Sequence, residues 1–536
     1  MVQVREEGAE SSTSVRSAHR LVSDLRRRHE RRRRLFPRVL LVGVLVGVVS
    51  SCFRGGLARA EDYRTTVIAR LHPLGLTGFL AFVLMVASGI AFSVWIVRRF
   101  SPVAAGSGIP HLKAVLHRLR PMPEGPLIVT KFVGGMTAIA SGLALGREGP
   151  TVQMGGALGK FVARMLPSSS HERQVLIAAG AGGGLAAAFN APLAGLMFVL
   201  EEIQKNFAPG VFTATFLASV TADAVSRLLL GQSAVFHTTA IAAPPVASVP
   251  LFAVLGAVAG LIAVAFNRGL LWTMDLFDRT EPRFRVLAGF VFGAAVGVLA
   301  WFHPDFVGGG APLVGAALSG HGIVAGLLLT LVIRYVLTLG SYGTGTPGGI
   351  FAPLLVLGAQ AGLAMALATA AFSPGIVGEP RAWAVAGMAA LFAGTVRAPL
   401  TGIVLMLEMT ESYSLMLPLL AASFGATWMA DLLRDPPIYD SLLERELHRS
   451  TEVEQPEGAL MLELDVLPDA PFAGKRIADL GLPQGCLIVT LERRGSNRVA
   501  TGATRLLEGD RLTVVVAPEA ASCVGDLRVG TGVEGH

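Results

Sequence analysis

A chain of 536 residues that is 52% hydrophobic and only 15% charged is too apolar for a soluble enzyme of that length and fits a protein that crosses a membrane several times. Its formal charge of +7 is unevenly placed, with 11 arginines against 5 acidic residues in positions 1–40 and 16 acidic against 10 basic residues in positions 440–536. The three cysteines, Cys52, Cys486 and Cys523, lie far apart in sequence and predict neither a disulfide framework nor a metal or cofactor site.

The basic cluster Arg26 to Arg34 precedes an apolar run that begins near Val39. It reads as the positive flank of a first membrane span rather than a nucleic-acid arm, which puts residues 1–38 on the cytoplasmic side of the cell (inner) membrane. No small-residue cleavage site makes it a signal peptide. The next run, Gly75 to Val97, carries no charge and is long enough to cross a hydrocarbon core of roughly 30 Å. It ends at Arg98-Arg99, and Lys113, Arg118 and Arg120 follow soon after, which returns the chain to the cytoplasmic face. Between them stands Gly106-Ser107-Gly108-Ile109-Pro110, whose small residues open a new apolar segment. Ser107 therefore sits at a helix start, where a hydroxyl and free amides can face an anion.

The stretch Gly146-Arg147-Glu148-Gly149-Pro150 sets a charged pair between glycines and a proline. In a membrane chain this reads as a broken helix whose exposed N-terminus lines a substrate site. The 63 glycines and 30 prolines predict many such interrupted, closely packed helices. An internal repeat organises the chain between about residues 75–230 and 250–435. Laid over Gly349-Ile350-Phe351-Ala352-Pro353, the Gly146 motif aligns Pro150 with Pro353, Gly155 with Gly358 and Gly159 with Gly362. A second block aligns Ala191-Pro192-Leu193-Ala194-Gly195 with Ala398-Pro399-Leu400-Thr401-Gly402, and Leu200-Glu201 with Leu407-Glu408. The repeat breaks at two carboxylates, because Glu148 falls opposite Phe351 and Glu202 opposite Met409. Two like halves with extra acids in one of them point to a symmetric pore with an asymmetric proton element.

Asp435-Pro436-Pro437 is read as closing the last membrane element, and the composition changes after Tyr439. Short alternating runs at Leu462 to Val466, Leu487 to Leu491 and Arg511 to Val516, with turn signals at Gly495-Ser496-Asn497 and Glu508-Gly509-Asp510, predict a small α+β module over 458–536 after a linker around 450–458. The membrane part, 39–449, is predicted to be all-α. His171-Glu172 lacks the second histidine of a zinc protease helix and no G-x-S-x-G elbow is present, so neither of these signatures argues for a membrane enzyme.

With G-S-G-I-P at 106–110, G-R-E-G-P at 146–150 and G-I-F-A-P at 349–353 in order, the chain resembles the CLC family of chloride channels and chloride/proton antiporters over about residues 40–445. The resemblance implies an inverted-repeat membrane fold, chloride and protons as substrates, and a homodimer with one pathway per subunit. It implies that the Ser107 hydroxyl, the Ile350 and Phe351 amides and the Tyr439 hydroxyl hold chloride, that Glu148 is the gating and outer proton glutamate, and that Glu202 is the inner one. Physics favours such ligands, since partial charges at helix N-termini compensate a dehydrated anion without trapping it. Without the motif context Ser107 reads as an ordinary N-cap, Tyr439 as an interfacial aromatic, and Glu201-Glu202 as solvating a helix end. Lys131 reads equally as a mild anion attractor or a snorkelling lysine. Residues 471–512 resemble the TrkA-C lobe of RCK regulators of potassium conductance, which implies a regulatory or dimer-supporting module with an unidentified ligand; a solubilising cap is the alternative reading. Antiport is the first expectation. A passive channel on the same fold is the alternative, ahead of a fluoride exporter, against which Ser107 and Pro150 weigh. Last comes a potassium transport component, suggested by the tail and Ser341-Tyr342-Gly343.

Overall fold

The computed structural model describes residues 3–123, 125–205, 207–231, 241–449, 460–493, 496–520 and 523–532. The first half of the membrane part runs through α1 (Gln3–Leu71), α2 (Gly75–Phe100), α3 (Ile109–Leu116), α4 (Pro126–Ala140), α5 (Glu148–Met165), α6 (Ser170–Phe189), α7 (Pro192–Phe198) and α8 (Pro209–Leu230). The second half runs through α9 (Val249–Asp278), α10 (Arg285–Phe302), α11 (Ala311–Ala317), α12 (Val324–Gly343), α13 (Phe351–Phe372), α14 (Pro374–Val377), α15 (Pro380–Val396), α16 (Pro399–Thr410) and α17 (Met416–Leu432), and α18 (Ile438–Arg449) follows. Seven described helical stretches are long and apolar enough to cross a membrane. Helices α3, α7 and α11, of 8, 7 and 7 residues, are too short for that. Such half-helices are tolerated in a membrane protein where their ends are met by other protein groups.

The last described membrane-length stretch, Tyr413–Leu432, ends just before Asp435-Pro436-Pro437. Helix α17 stops at Leu432, and the two prolines lead into α18, whose first turn carries Tyr439. Proline suits that place because a helix entry has no use for its missing N–H.

The repeat seen in sequence is a repeat in packing. Helix α5 lies against α6 as α13 lies against α15, and α1 lies against α8 as α9 lies against α17. In the first half a Cβ added at Gly155 would strike the carbonyl of Gly180, and one at Gly159 the carbonyl of Leu176. Their repeat mates do the same, Gly358 against the carbonyl of Gly387 and Gly362 against that of Trp383. Lipid offers these helices no hydrophobic drive to associate, so close backbone approach and dispersion hold them.

Two compact units emerge, Met1–Leu116 with Met122–Glu446, and His117–Pro121 with Leu447–His536. The linker expected around 450–458 lies outside the described residues. The second unit holds an antiparallel sheet in the order β1 (Leu460–Asp465), β4 (Arg511–Val516), β2 (Cys486–Arg493), β3 (Ser496–Val499), and α19 (Cys523–Thr531). Leu512, Val514 and Val516 alternate inward along β4 and bury against Leu464, Ile488, Leu491 and Leu527, the period expected of a strand with one covered face. Ser496 and Asn497, read as part of a turn, belong to β3 and pair with Arg493 and Glu492. Cys486 and Cys523, remote in sequence, come side by side as free thiols. The Cys486 thiol is pushed up to about 12 by burial and by Cys523.

Asp510, in the loop read as a turn, anchors this unit. Arg493 donates Nε and Nη2 to its two oxygens, each at 2.7 Å, and the Leu507 N–H adds a third bond at 2.7 Å. Burial, which would raise the Asp510 carboxyl, is outweighed by the Arg493 and Leu507 bonds, which hold it below the usual carboxylate range.

Two outcomes are expected. Gly362→Ala forces its methyl onto a backbone carbonyl that cannot turn away, and lowers the thermal stability of the purified protein by about 1–3 kcal/mol; an unshifted unfolding curve would show that these helices part freely. Asp510 has a depressed folded pKa, so its stabilisation is present above the unfolded value of about 4 and is lost as pH falls through the lowered folded value. Asp510→Asn weakens hydrogen-exchange protection of β2 and β4 in the full-length protein by about 1–2 kcal/mol at pH 7, and the variant lacks the extra loss that the wild type suffers below about pH 4.

Candidate functional site

The three glycine-rich motifs, scattered over 250 residues of chain, meet through their backbones. Gly106 donates its N–H to the Thr346 carbonyl at 3.1 Å, and Gly348 donates back to the Gly106 carbonyl at 3.0 Å. Gly146 and Gly349 exchange two N–H to carbonyl bonds, both 2.7 Å. A Cβ at Gly149 would stand 2.8 Å from the Ser107 carbonyl oxygen and 3.0 Å from the Gly349 Cα, so this three-loop junction admits only glycine there. Gly106 and Gly108 also take positive φ, +59° and +77°, which favours the same residue. Pro110, Pro150 and Pro353 stand in the first turns of α3, α5 and α13, and Ile109 opens α3.

Below the first loop the ammonium of Lys131 is fully buried and donates to the carbonyls of Ala104 and Gly106 at 3.0 and 2.7 Å. It does not snorkel, as one of its two readings had it. The charge is spent bracing the loop that carries Ser107.

Glu148 begins α5 and is 0% exposed. Its Oε1 accepts the Phe351 N–H at 2.8 Å and the Ala352 N–H at 3.2 Å, the free amides at the start of α13. Oε2 has no hydrogen-bond partner among the described residues. A carboxylate thus occupies a helix N-terminus, the type of place where backbone N–H groups and about half a unit of positive dipole charge bind anions. The amides that engage it are those of Phe351 and Ala352, one residue further along than the Ile350 and Phe351 pair expected to hold chloride. Ile350 is the buried residue just before the helix. No ion pair joins Arg147 to Glu148 among the described residues. Arg147 instead lines a cavity of about 220 Å³ with Leu57, Glu61, Val314, Ala352 and Met409.

Ser107 and Tyr439 are both fully buried. The Ser107 oxygen accepts the Ile109 N–H at 3.3 Å, as an N-cap does, and this leaves its hydroxyl proton available to donate. Its own N–H points to the Tyr342 hydroxyl at 3.4 Å, so Tyr342, which looked like a fragment of a potassium filter, is a prop for the Ser107 loop. The Tyr439 hydroxyl is buried and has no hydrogen-bond partner among the described residues, a costly state unless something else visits it. The Tyr439 ring lies 6.1 Å from the Phe351 ring, which also meets Phe198 at 5.3 Å and Phe392 at 4.6 Å.

The segment bearing Phe198 continues as a single π-helical turn, Val199–Ile203, a device often found at functional positions. It turns the two adjacent glutamates apart. Glu201 accepts the N–H groups of Leu400 and Thr401 at 3.0 and 2.7 Å, while its repeat mate Glu408 accepts those of Leu193 and Ala194 at 2.9 and 2.8 Å. Each half therefore caps a helix of the other. Glu202 faces elsewhere: it is 1% exposed and accepts from the Lys113 ammonium at 2.8 Å. Lys113 also bonds Asp440, which Lys205 holds from its other oxygen at 2.9 Å. So Glu201 matches the helix-end reading and Glu202 does not. Lys113, counted in the sequence among the cationic residues that mark the cytoplasmic side, has a side chain only 4% exposed. Lys113, Asp440 and Phe198 were missed as parts of the site, and Ala352, named only as a motif residue, supplies an amide to Glu148. The one visible signal was a lone lysine in the apolar run Ile109–Leu116.

The family described as voltage gated chloride channel matches residues 89–431, and the TrkA-C domain matches residues 461–525. The H(+)/Cl(-) exchange transporter ClcA of Vibrio cholerae serotype O1 (strain M66-2) is 42% identical over 420 residues, covering 76% of this chain and 88% of that protein. ClcA of Yersinia pestis bv. Antiqua (strain Angola) is 37% identical over 441 residues, covering 81% and 92%. Among solved structures, a slow cyanobacterial Cl-/H+ antiporter is similar at a TM-score of 0.76 and 35% identity, covering 78% of this chain and 99% of that one. Three interlocked glycine loops around a buried glutamate, two mirrored halves and this breadth of similarity lead to one conclusion: the chain is a multi-pass membrane protein that belongs to the voltage gated chloride channel (CLC) family and carries a C-terminal TrkA-C domain.

Proposed function

We propose that this protein exchanges chloride for protons across the membrane. The observation that carries the reading is the Glu148 carboxylate seated on the Phe351 and Ala352 amides. It fills a place suited to an anion, so chloride and the ionised side chain compete for the same donors, and a proton removes the competitor by neutralising it. The orphaned Tyr439 hydroxyl, on a ring 6.1 Å from that of Phe351, and the available Ser107 proton supply further donors for a dehydrated halide. The amide of Ile350 adds to this set by position.

Glu202 supports antiport over a passive channel. It is a second buried carboxylate, it stands where the repeat has no acid in its other half, and it is held by a lysine rather than left to cap a helix. In this reading Glu202 takes protons on the inner side and Glu148 on the outer. The ClcA relatives, described as H(+)/Cl(-) exchange transporters, favour the same assignment. The reading extends to a homodimer with one pathway in each subunit, set in the inner membrane with both termini cytoplasmic. The Arg26 to Arg34 cluster supports that orientation. The TrkA-C domain is then a cytoplasmic regulatory module.

Purified protein in liposomes tests the proposal, with a chloride gradient as the only driving force. Protons move uphill in the wild type, and dissipation of chloride without proton movement would leave a channel. Glu148→Ala and Glu202→Gln each reduce uphill proton movement on the order of 100-fold while chloride flux persists; intact pumping in either variant would mean that the wrong carboxylate had been assigned.

A further inference from the structure

A lysine in a membrane interior is expensive unless its charge is matched, and Lys113 is matched twice. Its ammonium bonds Glu202 at 2.8 Å and also Asp440. The three residues come from three elements: Lys113 from α3, just after the Ser107 loop; Glu202 from the π turn; and Asp440 from the first turn of α18, next to Tyr439. Lys205, just after the π turn, completes the group by binding the other Asp440 oxygen at 2.9 Å. Two carboxylates and two ammoniums balance. Among the described residues no other ion pair reaches Glu202 from α6 or α8, which also pack against the turn, and Glu201 points away to Leu400 and Thr401.

We propose that Lys113 is a positioning residue for proton exchange, one that holds the Glu202 carboxylate in place and ties its proton load to the α18 start beside Tyr439. The inference rests on the reading of Glu202 as the inner proton carrier. While Glu202 is ionised, the four charges cancel. Once Glu202 accepts a proton, the set carries a net positive charge, and the ammonium keeps only Asp440 as a charged partner. That charge sits one residue from Tyr439 and one helix turn from the Ser107 loop, so it favours an anion at the inner end. An ordinary structural lysine would lack this effect, since it would brace the fold in the same way at every proton load.

The test measures chloride-driven proton transport in liposomes as a function of pH. A neighbouring ammonium favours the ionised carboxylate and a neighbouring carboxylate opposes it. Lys113→Met therefore moves the pH of half-maximal proton transport upward by about one unit, Lys113→Arg stays near the wild type, and Asp440→Asn moves it downward. If Lys113→Met does not purify as a folded protein, Asp440→Asn decides alone, and an unshifted or upward midpoint overturns the proposal. A wild-type midpoint in Lys113→Met, with Glu202→Gln still abolishing pumping, overturns it while leaving the antiport reading intact. A wild type that pumps no protons removes both.

Discussion

The structure is organised around one electrostatic problem, the placing of a negative group at a helix start inside a membrane. At the head of α13 two amides converge on a single oxygen of Glu148. Neutral donors suit a transport site because they hold an anion by dipole and hydrogen bond, without the full charge that would make its release slow. Bringing the donors to the carboxylate requires the loops to pack backbone to backbone at Gly149, while a Cβ at Gly146 or Gly349 would strike the Glu148 carboxylate and one at Gly106 the Tyr342 hydroxyl. A side chain at Gly149 would separate α5 from the Ser107 loop.

Around that point the two halves are alike in what holds them and unlike in what they offer an ion. The Gly155 and Gly358 approaches match, as do the Gly159 and Gly362 approaches, and the Glu201 and Glu408 caps are exchanged between halves. Reciprocal capping satisfies helix starts that lipid could not. The symmetry stops at Glu148 and Glu202, whose mates are Phe351 and Met409. The mates are still used: the Phe351 N–H binds the Glu148 carboxylate, and Met409 lines the cavity beside Arg147. The second half thus supplies backbone donors to the first half's outer acid.

Two buried lysines show how differently the same charge is employed. Lys131 is satisfied by carbonyls alone and stiffens the Ser107 loop, whereas Lys113 is satisfied by carboxylates and stands at the inner acid. A lysine whose hydrogen bonds all go to carbonyl oxygens is held by fixed dipoles. One bound to a carboxylate feels every proton that arrives.

Much of this was legible before any coordinate. The charge-free run from Gly75, the repeat offset, the three motifs and the strand periodicity in the C-terminal domain are local patterns, and local patterns follow from helix and strand geometry. The strand at Ser496 was misread because a short polar run signals a turn as readily as an element start. Sequence by itself determined that the chain lies in a membrane, that it has two like halves, and that Glu148 stands among glycines at a broken helix. Only the tertiary structure decided which amides meet that carboxylate, which of two adjacent glutamates caps a helix, and that Lys113 reaches Glu202 across 89 positions and Asp440 across 327. Pairings of that kind depend on how helices cross in space, and neither residue type nor spacing records the crossing.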